Sequence, residues 1–443
     1  MKKAIFVFTV LLTFSFQAQT KKWTLEECVD HALQNNITVK QSELDLEQSE
    51  INKKDAIGNF LPSLNGSASH SWNIGLGQDP VTFNPVTGTS KTLSLGIGSS
   101  LNIYDGLRNI NQLHRSNLEI LASRYQLDKI KDDVSLLVAN SFLQILFNKE
   151  QLKVLQAQQV VSQQELERTN ELVEAGVLPR GDLLEIQATI ATQEQQIVNA
   201  ENTVLLSRIQ LAQLLLIQEY ETFDIVDIDY QVPTTMILEQ SPDAIVSKAK
   251  ETRYDIKIAE TNTKIAEDNL KISKGALQPT LSGSYNFGSS YFTSEFLLSA
   301  DDFETQMTDN KSHNFRLSLN IPIFNGFASS NNVKRNKVNL ERAKVQLEQA
   351  NLDMETAVYQ AYNDTKGALK AYEAAQKTLE AREEAFNYSR ERYNVGLLNA
   401  FDYNQSQNRF EAAQSDVIRT KYDYIFKLKV LEFYFGIPIT DIN

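Results

Sequence analysis

Residues 93–104 read Leu-Ser-Leu-Gly-Ile-Gly-Ser-Ser-Leu-Asn-Ile-Tyr. Leu93, Leu95, Ile97, Leu101 and Ile103 make one face, interrupted by Ser99. Ser94, Gly96, Gly98, Ser100 and Asn102 make the other. A period of two sustained over that length is a β-strand with one apolar side. Three more stretches repeat the pattern. Over 62–76, Leu64, Gly66, Ala68, His70, Trp72, Ile74 and Leu76 oppose Ser63, Asn65, Ser67, Ser69, Ser71 and Asn73. Over 280–291, Leu281, Tyr285, Phe287 and Tyr291 oppose Ser282, Ser284 and Asn286. Over 314–323, Phe315, Leu317, Leu319, Ile321 and Ile323 oppose Asn314, Arg316, Ser318 and Asn320. Strands of about 10–14 residues with this alternation fit a membrane-crossing strand, apolar to lipid and polar to a lumen. A soluble antiparallel sheet with one buried face shows the same alternation, so the strands alone leave both open. Trp72, Tyr104, Tyr285, Tyr291 and Phe324 fall near strand ends, where an aromatic girdle would sit.

Working outward, the two halves of the chain match. Phe60-Leu61-Pro62-Ser63-Leu64-Asn65-Gly66-Ser67 corresponds to Leu277-Gln278-Pro279-Thr280-Leu281-Ser282-Gly283-Ser284. Further on, Ile103-Tyr104-Asp105-Gly106 corresponds to Ile323-Phe324-Asn325-Gly326, and Gly176 and Asp182 to Gly396 and Asp402. One unit is duplicated. Each copy reads helix, strand, strand, very long helix, tight turn, returning helix. Residues 107–175 hold neither Gly nor Pro, and 327–395 hold only Gly367. As one helix such a stretch runs ~100 Å. Apolar residues recur at helical spacing, as in Val134, Leu137, Val138, Phe142 and Ile145. Helices this long need neighbours of similar length, so a coiled-coil or barrel-like assembly is expected. The boundaries expected are 19–218 for the first repeat, 219–240 for a linker with Pro233, and 241–443 for the second.

Composition excludes several classes. Lys and Arg number 43 against 56 Asp and Glu, a net charge of −13, which disfavours nucleic acid as a partner. One Cys and four His leave no disulfide framework and no metal signature. No nucleophile–base pair or phosphate-binding glycine loop appears, so neither an enzyme nor a cofactor is expected. Residues 1–18, with Lys2 and Lys3 before the apolar run 4–16, read as a signal peptide for export. After it no apolar run reaches the ~18–20 residues of a membrane helix. Leu25-Glu26-Glu27-Cys28 only superficially resembles a lipoprotein box, and Cys28 reads as a plain thiol.

Four strands cannot close a membrane barrel, which takes about eight or more. An open sheet edge cannot face lipid either. Strands that cross a membrane here must therefore be pooled from several chains. The ordered set over both repeats resembles the TolC-type outer-membrane efflux proteins. Its most specific segments are Tyr393-Asn394-Val395-Gly396-Leu397-Leu398-Asn399-Ala400-Phe401-Asp402 and Glu174-Ala175-Gly176-Val177-Leu178-Pro179-Arg180-Gly181-Asp182, similar to that family's helix-hairpin tips. The resemblance implies an α+β membrane protein: a homotrimer whose 12-stranded β-barrel in outer-membrane lipid continues as a periplasmic α-helical barrel. It implies an exit duct that conducts passively, served by a periplasmic adaptor (membrane fusion) protein and an inner-membrane transporter of RND or ABC type. A periplasmic coiled-coil structural or adhesive protein without a channel is the alternative. The loops 78–90 and 292–311 would lie outside the cell.

The tips, at 176–182 and 396–402, have their own chemistry. Gly176 and Gly396 suit a left-handed helix stop. Asp182 and Asp402 either cap the returning helices or, repeated by symmetry, form an acidic constriction that favours cations. The family pattern implies that Tyr393 links neighbouring helix pairs in a closed state, with Asp182 as acceptor. Gln405 stands where a second ring carboxylate can occur, Leu398 where a basic residue can, and Glu185 adds a carboxylate one turn after Asp182. The segments Gly176, Val177, Leu178 and Gly396, Leu397, Leu398 resemble adaptor-docking surfaces, or else cap the hairpin core.

Overall fold

The computed structural model describes residues 21–78, 82–228, 230, 232, 236–295 and 301–439. The signal segment 1–18 and Pro233 lie outside the described residues. In chain order the elements are β1 (Lys22–Trp23), α1 (Leu25–Asn35), α2 (Ile37–Gly58), β2 (Ser63–Gln78), β3 (Pro85–Tyr104), α3 (Arg108–Glu174), α4 (Arg180–Leu214), β4 (Asp224–Ile225), a 3₁₀ turn (Met236–Glu239), α5 (Pro242–Thr252), α6 (Tyr254–Gly275), β5 (Thr280–Ser294), α7 (Phe303–Asp309), β6 (Ser312–Asn320), α8 (Ala328–Asn394) and α9 (Ala400–Phe435). The duplication is explicit. The pairs α1/α5, α2/α6 and α3/α8 contain 11, 22 and 67 residues in both copies. Equivalent caps also recur: Thr24 accepts the Glu27 N–H and Ser241 accepts the Ala244 N–H.

By contact the chain divides into two compact units that cut across the repeats. One gathers the described residues of 1–40, 129–253 and 354–443, the other those of 41–128 and 254–353. The first holds the larger core. Val134, Val138, Phe142, Ile145 and Leu146 on α3 are buried at spacings of three and four. Leu137, expected in that stripe, is 51% exposed instead. Leu211 on α4 and Tyr424, Ile425, Leu428 and Leu431 on α9 complete the core. Parallel β1 and β4 are clamped by ions in the same unit. Lys149 reaches Asp224 at 2.7 Å and Asp227 at 2.8 Å, and Lys22 reaches Asp227 at 2.9 Å. Cys28 is fully buried in α1, and burial pushes its thiol up to about 12.

The second unit carries a four-stranded antiparallel sheet in the order β2-β3-β5-β6. Register puts the apolar faces of all four strands on one side: Ala68 opposes Leu95, Ile97 opposes Phe287, and Tyr285 opposes Phe315. A bulge between Asn102 and Tyr104 brings Tyr104 opposite Leu281, so an even-numbered residue joins the apolar face. The strand ends differ from the alternation. β3 starts at Pro85 rather than near 93, because 86–92 (Val-Thr-Gly-Thr-Ser-Lys-Thr) suits a strand without marking a face. Part of the expected loop 78–90 is therefore strand. β6 stops at Asn320, just before Pro322, which has no N–H for the ladder. Tyr285 stands in mid-strand, not at an end: its hydroxyl meets His313 at 2.9 Å and its ring lies 4.7 Å from Phe315.

β6 begins only at Ser312, opposite Gly288, while the edge of β5 continues to Ser294. Helix α7 covers it with side chains in place of a strand. Gln306 accepts the Phe292 N–H at 2.9 Å and donates to the Phe292 carbonyl at 3.0 Å, while Asn310 donates to the Ser290 carbonyl at 2.7 Å. Backbone groups that would otherwise stay open are satisfied.

Candidate functional site

The two helix-hairpin tips share one backbone design. After α3, Gly176 turns left-handed at φ 75°, its N–H goes to the Val173 carbonyl at 3.0 Å, and the Val177 N–H reaches Leu172 at 2.9 Å. After α8, Gly396 has φ 75°, its N–H goes to Tyr393 at 3.0 Å, and the Leu397 N–H reaches Arg392 at 2.8 Å. Both are Schellman stops, which satisfy the last carbonyls of a helix.

The returning helices are capped differently, and not by the aspartates. Pro179 precedes α4 and offers no side-chain cap, so Asp182 sits in the first turn without capping it. Asn399 caps α9: its Oδ1 accepts the Asp402 N–H at 2.8 Å, and its Nδ2 donates to Asp402 Oδ2 at 2.9 Å. Both carboxylates lie in a first turn, where the helix dipole favours them. Asp402, Glu185 and Gln405 are exposed and Asp182 is half-buried. Of the expected docking residues, Val177 and Leu397 are exposed, at 67% and 68%. Leu178 is half-buried, and Leu398 packs on a cluster of Phe386, Tyr393, Ala400 and Tyr403. The αL turn sends consecutive residues to opposite sides, so one leucine of the pair joins the hairpin core.

Tyr393 is buried, its ring stacked on Tyr403 at 4.6 Å. Its hydroxyl lies beside the Thr169 side chain, but the two fall short of full hydrogen-bond geometry and neither oxygen has another partner among the described residues. Burial holds Tyr393 above the ordinary tyrosine range; the Thr169 side chain opposes the rise and the Asp182 carboxylate adds to it. The structure thus brings Asp182 near Tyr393 without bonding the two.

On the sheet, the polar face is lined by Ser63, Asn65, Ser67, Gly96, Gly98, Ser284, Asn286 and Asn314. The two glycines leave room for neighbouring side chains. A Cβ at Gly98 would come within 2.8 Å of Asn286, and one at Gly96 within 3.3 Å of Ser67. The opposite face exposes Leu64, Ile74, Leu76, Phe315, Leu317 and Leu319 at 63–81%. Such a contiguous apolar face is not left to water. Trp72 and Tyr291 stand toward one end of the strands, Tyr104 and Phe324 at the other. Among the described residues, no helix is long and apolar enough to cross a membrane.

The model of the outer membrane efflux protein family matches this chain over residues 28–215 and 245–436. The chain belongs to that family. As an outer membrane efflux protein its location is the outer membrane. Solved structures share its fold at low identity. The outer membrane protein VceC from Vibrio cholerae is 14% identical, covering 94% of this chain and 96% of its own, with a TM-score of 0.79. The CmeC outer membrane channel of Campylobacter jejuni is 19% identical, with coverages of 93% and 85% and a TM-score of 0.75. The MtrE outer membrane channel of Neisseria gonorrhoeae, solved in an open state, is 20% identical, with coverages of 93% and 89% and a TM-score of 0.68. Comparison with curated protein sequences gives no match.

Within this efflux protein, sequence inspection missed two features behind the tips. One is the aromatic stack: Phe386 lies 5.8 Å from Tyr403 and 5.3 Å from Phe410. Its signal was present, since Phe386 and Tyr393 on α8, and Tyr403 and Phe410 on α9, are each seven residues apart. Beside it, Glu165 and Thr169 each bury an oxygen without a partner among the described residues, and burial pushes Glu165 up against the pull of Arg168 and Arg390. The other is an amide network. Gln407 donates to Ser162 at 3.2 Å and to Glu411 at 2.8 Å, and Gln193 donates to Glu411 at 3.4 Å. Burial raises Glu411, with those amides opposing the rise. Glutamines on a polar helix surface look alike in sequence, so nothing marked Gln193 and Gln407 as the buried ones.

Proposed function

We propose that this chain is the outer-membrane exit duct of a tripartite efflux or type I secretion system. Three copies would pool their strands into one 12-stranded barrel, and their helix pairs would form a periplasmic tunnel. The barrel would conduct passively, and selectivity and energy would lie in an inner-membrane transporter of RND or ABC type joined by a periplasmic adaptor. The observation that carries this reading is the sheet: one exposed apolar face, one face of small polar residues, and two open edges on β2 and β6. In lipid each edge group without a partner costs several kcal/mol, so the edges must meet other strands.

The tips are the gate in this proposal. Asp182 and Asp402, ringed by symmetry, favour cations at the constriction, with Glu185 and Gln405 one turn away. Exposed Val177 and Leu397, with Gly176 and Gly396 shaping the turns, give the adaptor a surface. The inward set of Leu398 and Leu178 holds the hairpin rather than the partner. The test is conductance of the full-length protein in planar bilayers. Discrete channels are expected, and Asp402→Ala and Asp182→Ala should change their size or their block by cations. A protein that extracts without detergent and never conducts would refute the duct.

A further inference from the structure

Charge is spread unevenly over the sheet. The chain carries 56 Asp and Glu, yet β2, β3, β5 and β6 contain none. Leaving aside His70 and His313, the four strands hold two charged side chains, Lys91 of β3 and Arg316 of β6, and both are cationic. Register separates them. Lys91 opposes Trp72, on the apolar side. Arg316 opposes Ser284, which opposes Ser100, which opposes Ser63. That row belongs to the polar face. The other positions of the face are Ser, Asn, Gly and Thr, with Val86 and Phe292 toward the end farthest from the helices. Arg316 is the single charge on it.

An arginine that holds a fold together is paired, because an unpaired charge out of water is costly. Arg316 has no carboxylate beside it on any strand. It is exposed, with Asn314 and Ser318 as its face neighbours along β6 and Ser284 across the ladder. Such short neighbours leave its guanidinium donors open to a solute. The duplicated plan does not explain it either. At the offset of 220 that relates Ile103 to Ile323, Arg316 falls on Gly96, so each chain supplies this charge once. Its row begins at Ser63, the first residue of β2, which puts Arg316 toward the end of the sheet that joins the helices.

We propose that Arg316 sets the charge preference of the duct at the sheet, favouring solutes that carry an oxyanion (a carboxylate, phosphate or sulfate group), an inference that rests on the barrel reading and names the class of solute the barrel passes. Three copies bring three guanidinium groups to one lumen whose wall is otherwise neutral. Their fields add, since no carboxylate on the wall cancels them. The planar fork of each guanidinium also matches an oxyanion with two parallel N–H bonds, which a diffuse positive field alone would not provide. At physiological salt the field reaches only about 8 Å, so the ring biases traffic rather than closing the lumen. The acidic tips have the opposite sign. In the proposed gate they part when the duct opens, whereas the ladder to β5 keeps Arg316 in place, so the arginines act on the open state.

Full-length protein in planar bilayers, with inorganic triphosphate added on the barrel side, tests this. Triphosphate should block wild-type channels in about 0.1 M KCl, and the block should weaken about tenfold or more in about 1 M KCl, where the Debye length shrinks to about 3 Å. Arg316→Gln should need about tenfold more triphosphate for the same block, as expected when a charged hydrogen bond is lost. Arg316→Lys keeps the charge and should keep most of the block. Lys91→Gln removes the cation of the apolar face and should behave as wild type. Arg316→Gln channels that block like wild type, or an equal loss of block in Lys91→Gln, would overturn the role of Arg316 and leave the duct standing, because the channels themselves are then observed. A wild-type protein that forms no channel would overturn the barrel reading, and this inference with it.

Discussion

The Tyr393 hydroxyl gives the sharpest test of the gate. It is buried, its ring is stacked on Tyr403, and among the described residues only the Thr169 side chain lies beside it, without full hydrogen-bond geometry. A buried hydroxyl left unpaired costs about 1–3 kcal/mol. Tyr393→Phe removes the hydroxyl and keeps the stack, so the chain alone should melt no lower than wild type. In the closed assembly the hydroxyl is expected to reach an acceptor on a neighbouring helix pair, a bond worth about 1 kcal/mol net. Three copies would lose about 3 kcal/mol, which moves the closed–open balance about 150-fold toward open. Two assays on one preparation decide it: single-channel open fraction in planar bilayers and thermal melting in detergent. A variant that conducts like wild type and melts lower would show that the hydroxyl serves the fold, and the gate would have to lie elsewhere.

Glu411 carries a pH prediction. Its raised position means that the folded chain holds the proton more tightly than the unfolded one. The stability it contributes is present below the ordinary glutamate value of about 4.3 and is lost as pH rises through the raised value. Glu411→Gln should therefore melt above wild type near neutrality, with the gap closing on acidification; a gap independent of pH would refute the assignment. Gly106→Ala places a Cβ 2.2 Å from the Gly275 carbonyl at a φ of 74°, and should cost about 3 kcal/mol or more in urea unfolding. Gly326→Ala has the same handedness but open space in the lone chain, so it should cost that chain only about 1–2 kcal/mol of backbone strain. Gln306→Leu removes both side-chain bonds to Phe292, so the Phe292 amide should exchange with solvent several-fold faster, while Phe287, inside the ladder, should not change.

Much of this architecture is local in origin, and was legible for that reason. The period of two in 93–104 and its three relatives marks strands because alternate side chains point to opposite faces. The lack of Gly and Pro in 107–175 permits one unbroken helix, and Gly176 and Gly396 end the long helices because only a left-handed residue makes that stop. Even the two-repeat plan is a one-dimensional fact, read by laying one half of the sequence over the other.

The tertiary structure decided what local pattern cannot carry. Pairing of β3 with β5 joins residues about two hundred positions apart, and its register brings the apolar faces of the two hairpins onto one side. The bulge at Ile103, which turns Tyr104, comes from that pairing. Asn399 rather than Asp402 caps α9, and Leu398 turns inward while Leu397 stays out, because the turn geometry assigns each its side. The glutamines around Glu411 and the close approach of Gly106 to Gly275 emerge only when distant surfaces meet. Sequence period says which face is apolar, and packing alone says what that face touches.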